Sequence, residues 1–152
     1  MKFSARTRYG LKAILALAAR YGEGSLSVSQ IAKKEGISVA YLEQILNALK
    51  KKGLVRSVRG PQGGYVLSHK PADLTLEQLF YTLESKTAPV KETKSPPTQE
   101  MDEVSVGSAL FWQKFGLSIQ NGLSKATLKD LVNEARHFKK AKLPTSSQTF
   151  HI

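Results

Sequence analysis

The chain contains no cysteine, and this absence excludes several kinds of chemistry at once. Without thiols it has no disulfide, no thiolate nucleophile, no cysteine-based zinc finger and no metal cluster held by its own thiolates. Long hydrophobic runs are missing too: residues 11–19 are mainly apolar, but Lys12 lies within them, Arg20 ends them, and the run is too short to span a membrane. We therefore expect a cytoplasmic protein with no membrane partner and no cofactor.

Acidic residues are also scarce. The 152 residues include 23 Lys and Arg against 12 Asp and Glu, for a net charge of +11. The excess is confined to one half: residues 1–70 carry 13 basic and 3 acidic residues (net +10), and residues 71–152 carry 10 and 9 (net +1). A localised basic excess favours a polyanionic partner, with nucleic acid ahead of an anionic membrane. A basic surface that serves only solubility is the alternative.

The first half has the pattern of a helix-turn-helix. Apolar residues recur at helical spacing over residues 7–21, and Ser27 with Gln30 has the spacing of a capping box that opens a second, short helix. Gly36 permits a tight turn, and Ser38 is placed to cap a third helix. A short helix, a turn containing glycine and a second capped helix are typical of this motif.

A glycine-rich hairpin follows the third helix. Residues 54–58 alternate as a strand does, residues 65–67 are predicted to pair with them, and residues 59–64 connect the two with three glycines and a proline. A helix-turn-helix followed at once by such a hairpin predicts a winged helix. The expected fold is therefore mainly α with a small β-hairpin, and its winged helix-turn-helix domain spans residues 1–85.

The second half predicts a linker, a long helix and a tail. Residues 86–102 are rich in Lys, Thr, Pro, Glu and Ser and indicate a flexible linker. Residues 103–138 predict a long dimerisation helix and a short C-terminal helix, and residues 139–152 a mobile tail. The long helix is apolar on more than one face, so we expect it to pack on its own domain and on a second copy. One row has the spacing of a helix-packing seam and is the predicted dimer seam: Ala109, Trp112, Gly116, Ile119 and Leu123.

Candidates for base recognition lie at the start of the third helix, because these positions of a helix-turn-helix reach base edges in the major groove. A Gln44 amide can pair with adenine, and a Glu43 carboxylate can accept from cytosine. The alternatives are that Ser38 is only a cap, that Glu43 is a surface carboxylate and that Tyr41 packs in the core. The full set is Ser38, Val39, Ala40, Tyr41, Glu43 and Gln44.

The hairpin tip is expected to meet a minor groove. Arg59 or Gln62 can enter it, and Gly63 with Gly64 lets the backbone approach a sugar-phosphate chain closely. An ordinary hairpin whose glycines serve turn geometry alone is the alternative. The remaining cations are candidate phosphate contacts, or otherwise solvated charges: Lys2, Arg6, Arg8, Lys50, Lys51, Lys52 and Arg56.

Catalytic groups are not indicated. The three histidines, His69, His137 and His151, lack the i, i+4 spacing of a metal-binding pair. No Ser/His/acid arrangement is apparent, and the glycine-rich loop lacks the Lys-Ser/Thr ending of a phosphate-binding loop. We therefore predict that the chain is not an enzyme.

Three segments together resemble the Rrf2 family of bacterial winged-helix transcription regulators. They are residues 8–13 (RYGLKA), residues 41–44 (YLEQ) and residues 53–65, which run through the hairpin. The resemblance covers residues 1–85 closely and implies a homodimer with crossed long helices on a pseudo-palindromic operator. It places Ser38, Glu43 and Gln44 where the family reads bases. It places Arg59, Gly63 and Gly64 where the wing meets the minor groove.

This chain lacks the cluster-binding cysteines that the resemblance implies for part of the family. Members of one branch hold an iron-sulfur cluster through three cysteines between the winged domain and the long helix, where this chain has none. Some relatives recruit other ligands from the first helix, where this chain has the cations Arg8 and Lys12. We therefore expect a regulator without a cluster.

The C-terminal residues suggest a partner. A cysteine-free member is similar to the family's repressors of cysteine metabolism, which respond through O-acetylserine sulfhydrylase (cysteine synthase). That enzyme accepts C-termini ending in isoleucine in its active site, and this chain ends with Phe150, His151 and Ile152. Chance is the alternative, since many unrelated tails end this way. We predict a repressor; the alternative function is a protein-interaction module whose winged helix binds no specific DNA.

Overall fold

The computed structural model describes residues 3–84 and 96–141, and it confirms the predicted fold class. The elements are α1 (Ala5–Ala19), α2 (Val28–Glu35), α3 (Val39–Lys51), β1 (Val55–Val58), β2 (Gly64–Leu67), a 3-10 turn (Pro71–Asp73), α4 (Leu76–Leu83), α5 (Glu103–Ser124) and α6 (Leu128–Ala141). The two strands form an antiparallel hairpin directly after α3. None of the helices in these two stretches is long and apolar enough to cross a membrane.

Side-chain caps decide where the helices begin. The Ser4 hydroxyl accepts a hydrogen bond from the Thr7 backbone N–H at 3.1 Å, so α1 begins two residues earlier than the apolar pattern predicts. The predicted capping box of Ser27 with Gln30 is present at the start of α2. Reciprocal bonds of this kind satisfy two backbone donors that a helix start would otherwise leave without partners.

The core lies where α1 crosses α3 and the hairpin. Ile14 of α1 and Leu42 and Leu46 of α3 are completely buried. Gly10 is buried on the side of α1 that faces α4, where an added Cβ would stand 2.7 Å from the Leu83 Cδ2 atom. A larger residue at position 10 would therefore force the Leu83 side chain to move.

The last helix is tied back to the winged domain. The Leu128 N–H donates to the Leu74 carbonyl at 2.8 Å, and Leu128 itself is completely buried. The Arg136 guanidinium donates to the Ala19 carbonyl at the end of α1 at 2.8 Å. Because α6 continues to Ala141, it is three residues longer than the sequence predicts, and residues 139–141 are helical rather than part of a tail.

Two of the predicted segments fall largely outside the described residues. Of the predicted linker, residues 86–95 lie outside them, and residues 96–102 form no helix or strand. The Met101 N–H closes one turn there by donating to the Thr98 carbonyl at 3.2 Å. Residues 142–152, which contain the predicted tail partners Phe150 and Ile152, also lie outside the described residues.

Candidate nucleic-acid interface

The start of α3 presents one buried and one exposed face. Leu42, Ile45, Leu46 and Leu49 point into the core, which fixes the rotation of the helix about its own axis. The opposite face is exposed and consists of four of the predicted base-reading residues: Val39, Ala40, Glu43 and Gln44. Within the described ranges, the Glu43 and Gln44 side chains bond to no other residue, so their polar groups are available to a ligand.

Ser38 and Tyr41 have structural roles in the folded chain. The Ser38 hydroxyl caps α3 by accepting from the Tyr41 backbone N–H at 3.2 Å. The Tyr41 ring is half-buried and packs edge-to-face on Tyr9 of α1, with ring centroids 5.9 Å apart. The packing and capping alternatives are therefore present for these two residues, and they position the exposed strip beside them.

Arg59 and Gln62 are exposed to solvent at the hairpin tip. Val55 pairs with Leu67 and Val58 with Gly64, so the loop of residues 59–63 projects beyond the paired strands. Gly60 has a φ of +116°, a conformation that an L side chain rarely adopts, and it accepts a hydrogen bond from the Gly63 N–H at 2.9 Å.

Both remaining wing glycines are required by contacts within the chain. A Cβ on Gly63 would stand 2.6 Å from the Val58 carbonyl oxygen, and one on Gly64 would overlap the Leu26 carbonyl. Leu26 lies so close because it exchanges backbone hydrogen bonds with Tyr65 at 3.0 and 2.8 Å. Turn geometry and close packing within the chain therefore explain these glycines. Their presence does not by itself indicate contact with a sugar-phosphate chain.

Three side-chain bonds hold the wing in place, and the sequence patterns did not reveal them. The Tyr65 hydroxyl donates to the Asn47 amide oxygen at 3.3 Å, and the Lys50 ammonium donates to the Ser57 hydroxyl at 2.9 Å. Both join the hairpin to α3, so they set the distance between the recognition helix and the tip. On the other side, the Ser25 hydroxyl donates to the Gln62 carbonyl at 2.6 Å. The alternation of β1 and β2 predicts that Ser57 and Tyr65 share a face, but not what that face contacts.

The candidate phosphate contacts separate into free and engaged cations. Arg6, Arg8 and Lys51 are exposed, and in the described part of the chain none of them forms an ion pair. Lys50 is held by Ser57, and Lys52 donates to the Thr82 carbonyl. Burial and the nearby Arg6 charge lower the pKa of Lys52 from its ordinary value. Lys2 lies outside the described residues.

Arg56 lies apart from this group. Ser57 and Tyr65 occupy the hairpin face that contacts α3, so Arg56 and its strand partner Val66 occupy the other face. There Arg56 lines a cavity that also includes Arg20 at the end of α1. The structure thus separates Arg56 from the cations that flank α3.

The predicted dimer seam lies on the inner side of α5. Gly116 is buried and the other four seam residues are half-buried in the single chain, where α5 packs against α4. The exposed apolar residues of α5 lie elsewhere on the helix, and the seam spacing did not identify them. They are Val104, Leu110, Phe111 and Leu117, with relative exposures of 82%, 39%, 59% and 51%.

A helix-turn-helix with an exposed recognition strip, followed by a wing bonded to the same helix, defines a winged-helix DNA-binding transcription regulator. Sequence comparison agrees, because a family profile named Rrf2 and described as an iron-dependent transcriptional regulator matches residues 3–134. This chain belongs to the Rrf2 family. The resemblance inferred from its motifs is thereby confirmed.

Individual relatives support the same assignment. The chain is 35% identical to the HTH-type transcriptional regulator CymR of Bacillus subtilis, over 88% of this chain and 91% of the relative. It is 34% identical to the protein rrf2 of Nitratidesulfovibrio vulgaris, over 89% of both chains. Among solved structures, T. potens IscR superposes with a TM-score of 0.73 at 33% identity over 91% of both chains. The B. subtilis CymR structure, described as that of the global cysteine regulator, superposes with a TM-score of 0.71 at 30% identity, over 88% of this chain and 98% of that structure.

The iron dependence in the family's description does not fit the donor set of this chain. No residue of the sequence is a cysteine, and within residues 3–84 and 96–141 no three His, Asp or Glu side chains group as a metal site. In α1, Lys12 forms an ion pair with Glu35 at 3.3 Å. We assign no step of this protein's function to a bound metal.

Proposed function

We propose that this chain is a homodimeric repressor that recognises one operator sequence through α3 and the tip of the hairpin. The observation that carries the proposal is the exposed strip of α3 beside a wing bonded to the same helix; in this strip the side chains of Glu43 and Gln44 bond to no other described residue. This arrangement lies in the half of the chain that carries a net charge of +10. Repression is the expected outcome, because a dimer bound across an operator excludes other proteins from it.

The proposed division of labour follows from the chemistry of each group. Gln44 can donate to and accept from adenine, and Glu43 can accept from the amino group of cytosine, so these two residues would read sequence. Arg59 at the wing tip would enter the minor groove, where the negative potential is strongest when the groove is narrow. Arg6, Arg8 and Lys51 would bind phosphates and add affinity that depends on salt but not on sequence.

The proposed dimer uses the exposed side of α5. Phe111 stacks on Phe115 with ring centroids 6.3 Å apart, yet Phe111 remains 59% exposed. Val104 lies two turns earlier on the same face, and Leu110 and Leu117 form a neighbouring exposed row. Exposed apolar rows of this kind are unusual for a protein that functions as a monomer. A second copy of α5 is the proposed occupant, since a two-fold axis through the helix would bury this surface on both chains.

The direct test is selection of duplex DNA from a random pool, followed by fluorescence anisotropy on the selected sequence. The proposal predicts a pseudo-palindrome and a strong preference over random duplex, with binding that weakens steeply as salt rises. Equal affinity for selected and random duplex would instead support the alternative function, a protein-interaction module that binds no specific DNA.

We further propose that the regulated process is cysteine metabolism, with cysteine synthase as co-regulator. The proposal is supported by similarity to CymR, whose structure is described as that of the global cysteine regulator, and by a C-terminus that ends in Phe150, His151 and Ile152. Deleting Ile152 is expected to abolish binding of purified cysteine synthase, measured by calorimetry, while operator affinity stays the same. Unchanged enzyme affinity would refute this partner and leave the DNA-binding proposal intact.

A further inference from the structure

A cleft of about 320 Å³ lies behind the wing, on the side away from α3. One wall is the end of α1 with the turn that follows it, and the other is formed by the two hairpin strands. The apolar floor consists of Leu17, Leu26, Val66 and Leu67, and the polar lining includes Arg20, Tyr21, Arg56 and Ser68. This volume is within the range of pockets that hold small metabolites.

The ionisable groups of the cleft are strongly biased in charge. Arg20 lines the α1 wall and Arg56 the β1 wall, and among the described residues no carboxylate lines the cleft. Arg20 forms an ion pair with Glu23 by donating its Nε–H to the Glu23 carboxylate at 3.3 Å, but Glu23 itself does not line the cleft. Each guanidinium presents a planar fork of donors that matches a carboxylate or a phosphate. Two such forks on opposite walls suit a ligand with an anionic group at each end.

We propose that this cleft binds a small dianion, a dicarboxylate or a diphosphate, between Arg20 and Arg56. The Tyr21 and Ser68 hydroxyls would supply neutral hydrogen-bond donors, and the apolar floor would contact the middle of the ligand. DNA bound by α3 and the hairpin tip would not occupy this position, because Arg56 lies on the hairpin face opposite Ser57 and Tyr65.

The ligand would act on DNA binding through the hairpin, and this step rests on the proposed function. Arg20 belongs to the segment after α1 and Arg56 to β1, so a bridging dianion draws the wing toward α1. It also neutralises two cations of the basic half. Both effects weaken operator binding, and operator DNA must weaken dianion binding by the same factor.

Calorimetry with the full-length chain tests the site itself, with succinate and pyrophosphate as probes and acetate as the monoanion control. We expect saturable binding of one dianion per chain for at least one probe, and weaker binding of acetate. Arg20→Ala and Arg56→Ala should each raise the dissociation constant about tenfold, or ~1.4 kcal/mol. Lys34→Ala, which removes an exposed cation of α2 outside the cleft, should leave it unchanged.

Three results would overturn the site. The first is that neither dianion binds saturably, and the second is that Lys34→Ala weakens dianion binding as much as the arginine variants do. The third is that Arg56→Ala weakens binding to random duplex DNA as much as Arg8→Ala does. The last result would make Arg56 a DNA phosphate contact.

The coupling is tested by operator titrations with and without the bound probe. We expect the operator dissociation constant to rise about fivefold or more, and Arg20→Ala to abolish that rise. Unchanged affinity would refute the coupling.

Failure of the cleft and failure of the proposed function have different signatures. A chain that prefers its selected operator but binds no dianion refutes the cleft and leaves the function standing. A chain that binds the dianion but shows no preference among DNA sequences supports the cleft and refutes the function.

Discussion

At the scale of single residues, the division between specificity and affinity is testable on the exposed strip. Gln44→Ala is expected to relax preference at one base pair of the selected operator, because it removes the amide that would pair with adenine. The expected discrimination lost is ~1–3 kcal/mol, measured by anisotropy against operators substituted at each position. Lys33→Ala on α2, an exposed cation outside the strip, is the control. Unaltered preference at every base pair would contradict the role of Gln44.

Arg59 should behave differently from Gln44. Arg59→Ala removes the cation at the wing tip and is expected to weaken operator binding by ~1–3 kcal/mol. Since a minor groove is read mainly by width and potential, the loss should be largest on operators with A·T pairs under the wing. Titrations on two operators that differ only at those pairs provide the measurement. An equal loss on both would show that Arg59 contacts phosphate alone.

Tyr65 offers a test of wing position without removal of a DNA contact. Tyr65→Phe keeps the ring and deletes only the hydroxyl that donates to Asn47 at 3.3 Å. Operator affinity should fall measurably, by no more than about 0.5–1.5 kcal/mol, because that is the usual net contribution of one hydrogen bond to the stability of the wing position. Tyr81→Phe on α4 is the matched control, because the Tyr81 hydroxyl bonds to no other residue in the described ranges. If the two variants bind the operator equally well, the Asn47 bond does not position the wing.

At the scale of elements, α5 carries the prediction about assembly. Phe111→Ser should shift the chain from dimer toward monomer in sedimentation velocity, because it removes the most exposed aromatic residue of that helix. The helix content measured by circular dichroism should be retained, since Phe111 is not part of the buried core. Gln120→Ser, an exposed polar position on the same helix, should leave the oligomeric state unchanged. A dimer that persists in Phe111→Ser would place the interface on another surface.

The start of α6 predicts a dependence of stability on pH. Hydrogen bonds from the Thr127 backbone and hydroxyl hold the pKa of Asp130 below its ordinary value of 3.8, and Lys129 acts in the same direction. A carboxyl with a depressed pKa in the folded state stabilises that state above its unfolded pKa, and the contribution disappears as the pH falls through the folded value. Asp130→Ala should therefore lower the Tm near neutrality by a few degrees.

The difference in Tm between Asp130→Ala and the parent should shrink as the pH falls below 3.8. Glu134→Ala on the exposed side of α6 should show no such trend. Thermal denaturation over this pH range is the measurement. A Tm difference that stays constant on acidification would mean that the Asp130 carboxylate does not cap α6.

The elements also show where sequence reasoning succeeded. Ser27 with Gln30 and the glycine-rich loop each determine structure locally, and both elements formed as predicted. The end of α6 lies beyond its predicted position, because the last turn is exposed and contains good helix formers, with no proline or glycine to stop it. The fold class depended on such local signals and was therefore readable from the sequence.

The candidate site was less predictable, because it depends on contacts between distant residues. Spacing placed Glu43 and Gln44 on one face of α3, and their exposure agrees with this placement. It did not predict that Asn47 meets Tyr65, or that the close approach of Leu26 explains Gly64. Nor did it show which apolar row of α5 is covered by α4, since both rows repeat at helical spacing.

At the scale of the whole molecule, the cations and the apolar surface occupy different parts of the chain. The net charge of +10 lies with the helix-turn-helix and the wing, and the exposed apolar residues of α5 lie in the nearly neutral half. One surface therefore suits a polyanion and the other a second copy of the chain. In the proposed two-fold dimer, two recognition helices would lie on one side of the assembly, as a pseudo-palindromic operator requires.

The central claim is tested most directly by anisotropy titrations of the parent and the double variant Glu43→Ala/Gln44→Ala, on the selected operator and on random duplex, over a series of salt concentrations. The account predicts that the double variant loses most of its preference for the operator, while its binding to random duplex and the salt dependence of that binding stay close to those of the parent. If operator preference survives the loss of both side chains, α3 does not read the sequence, and the account is contradicted.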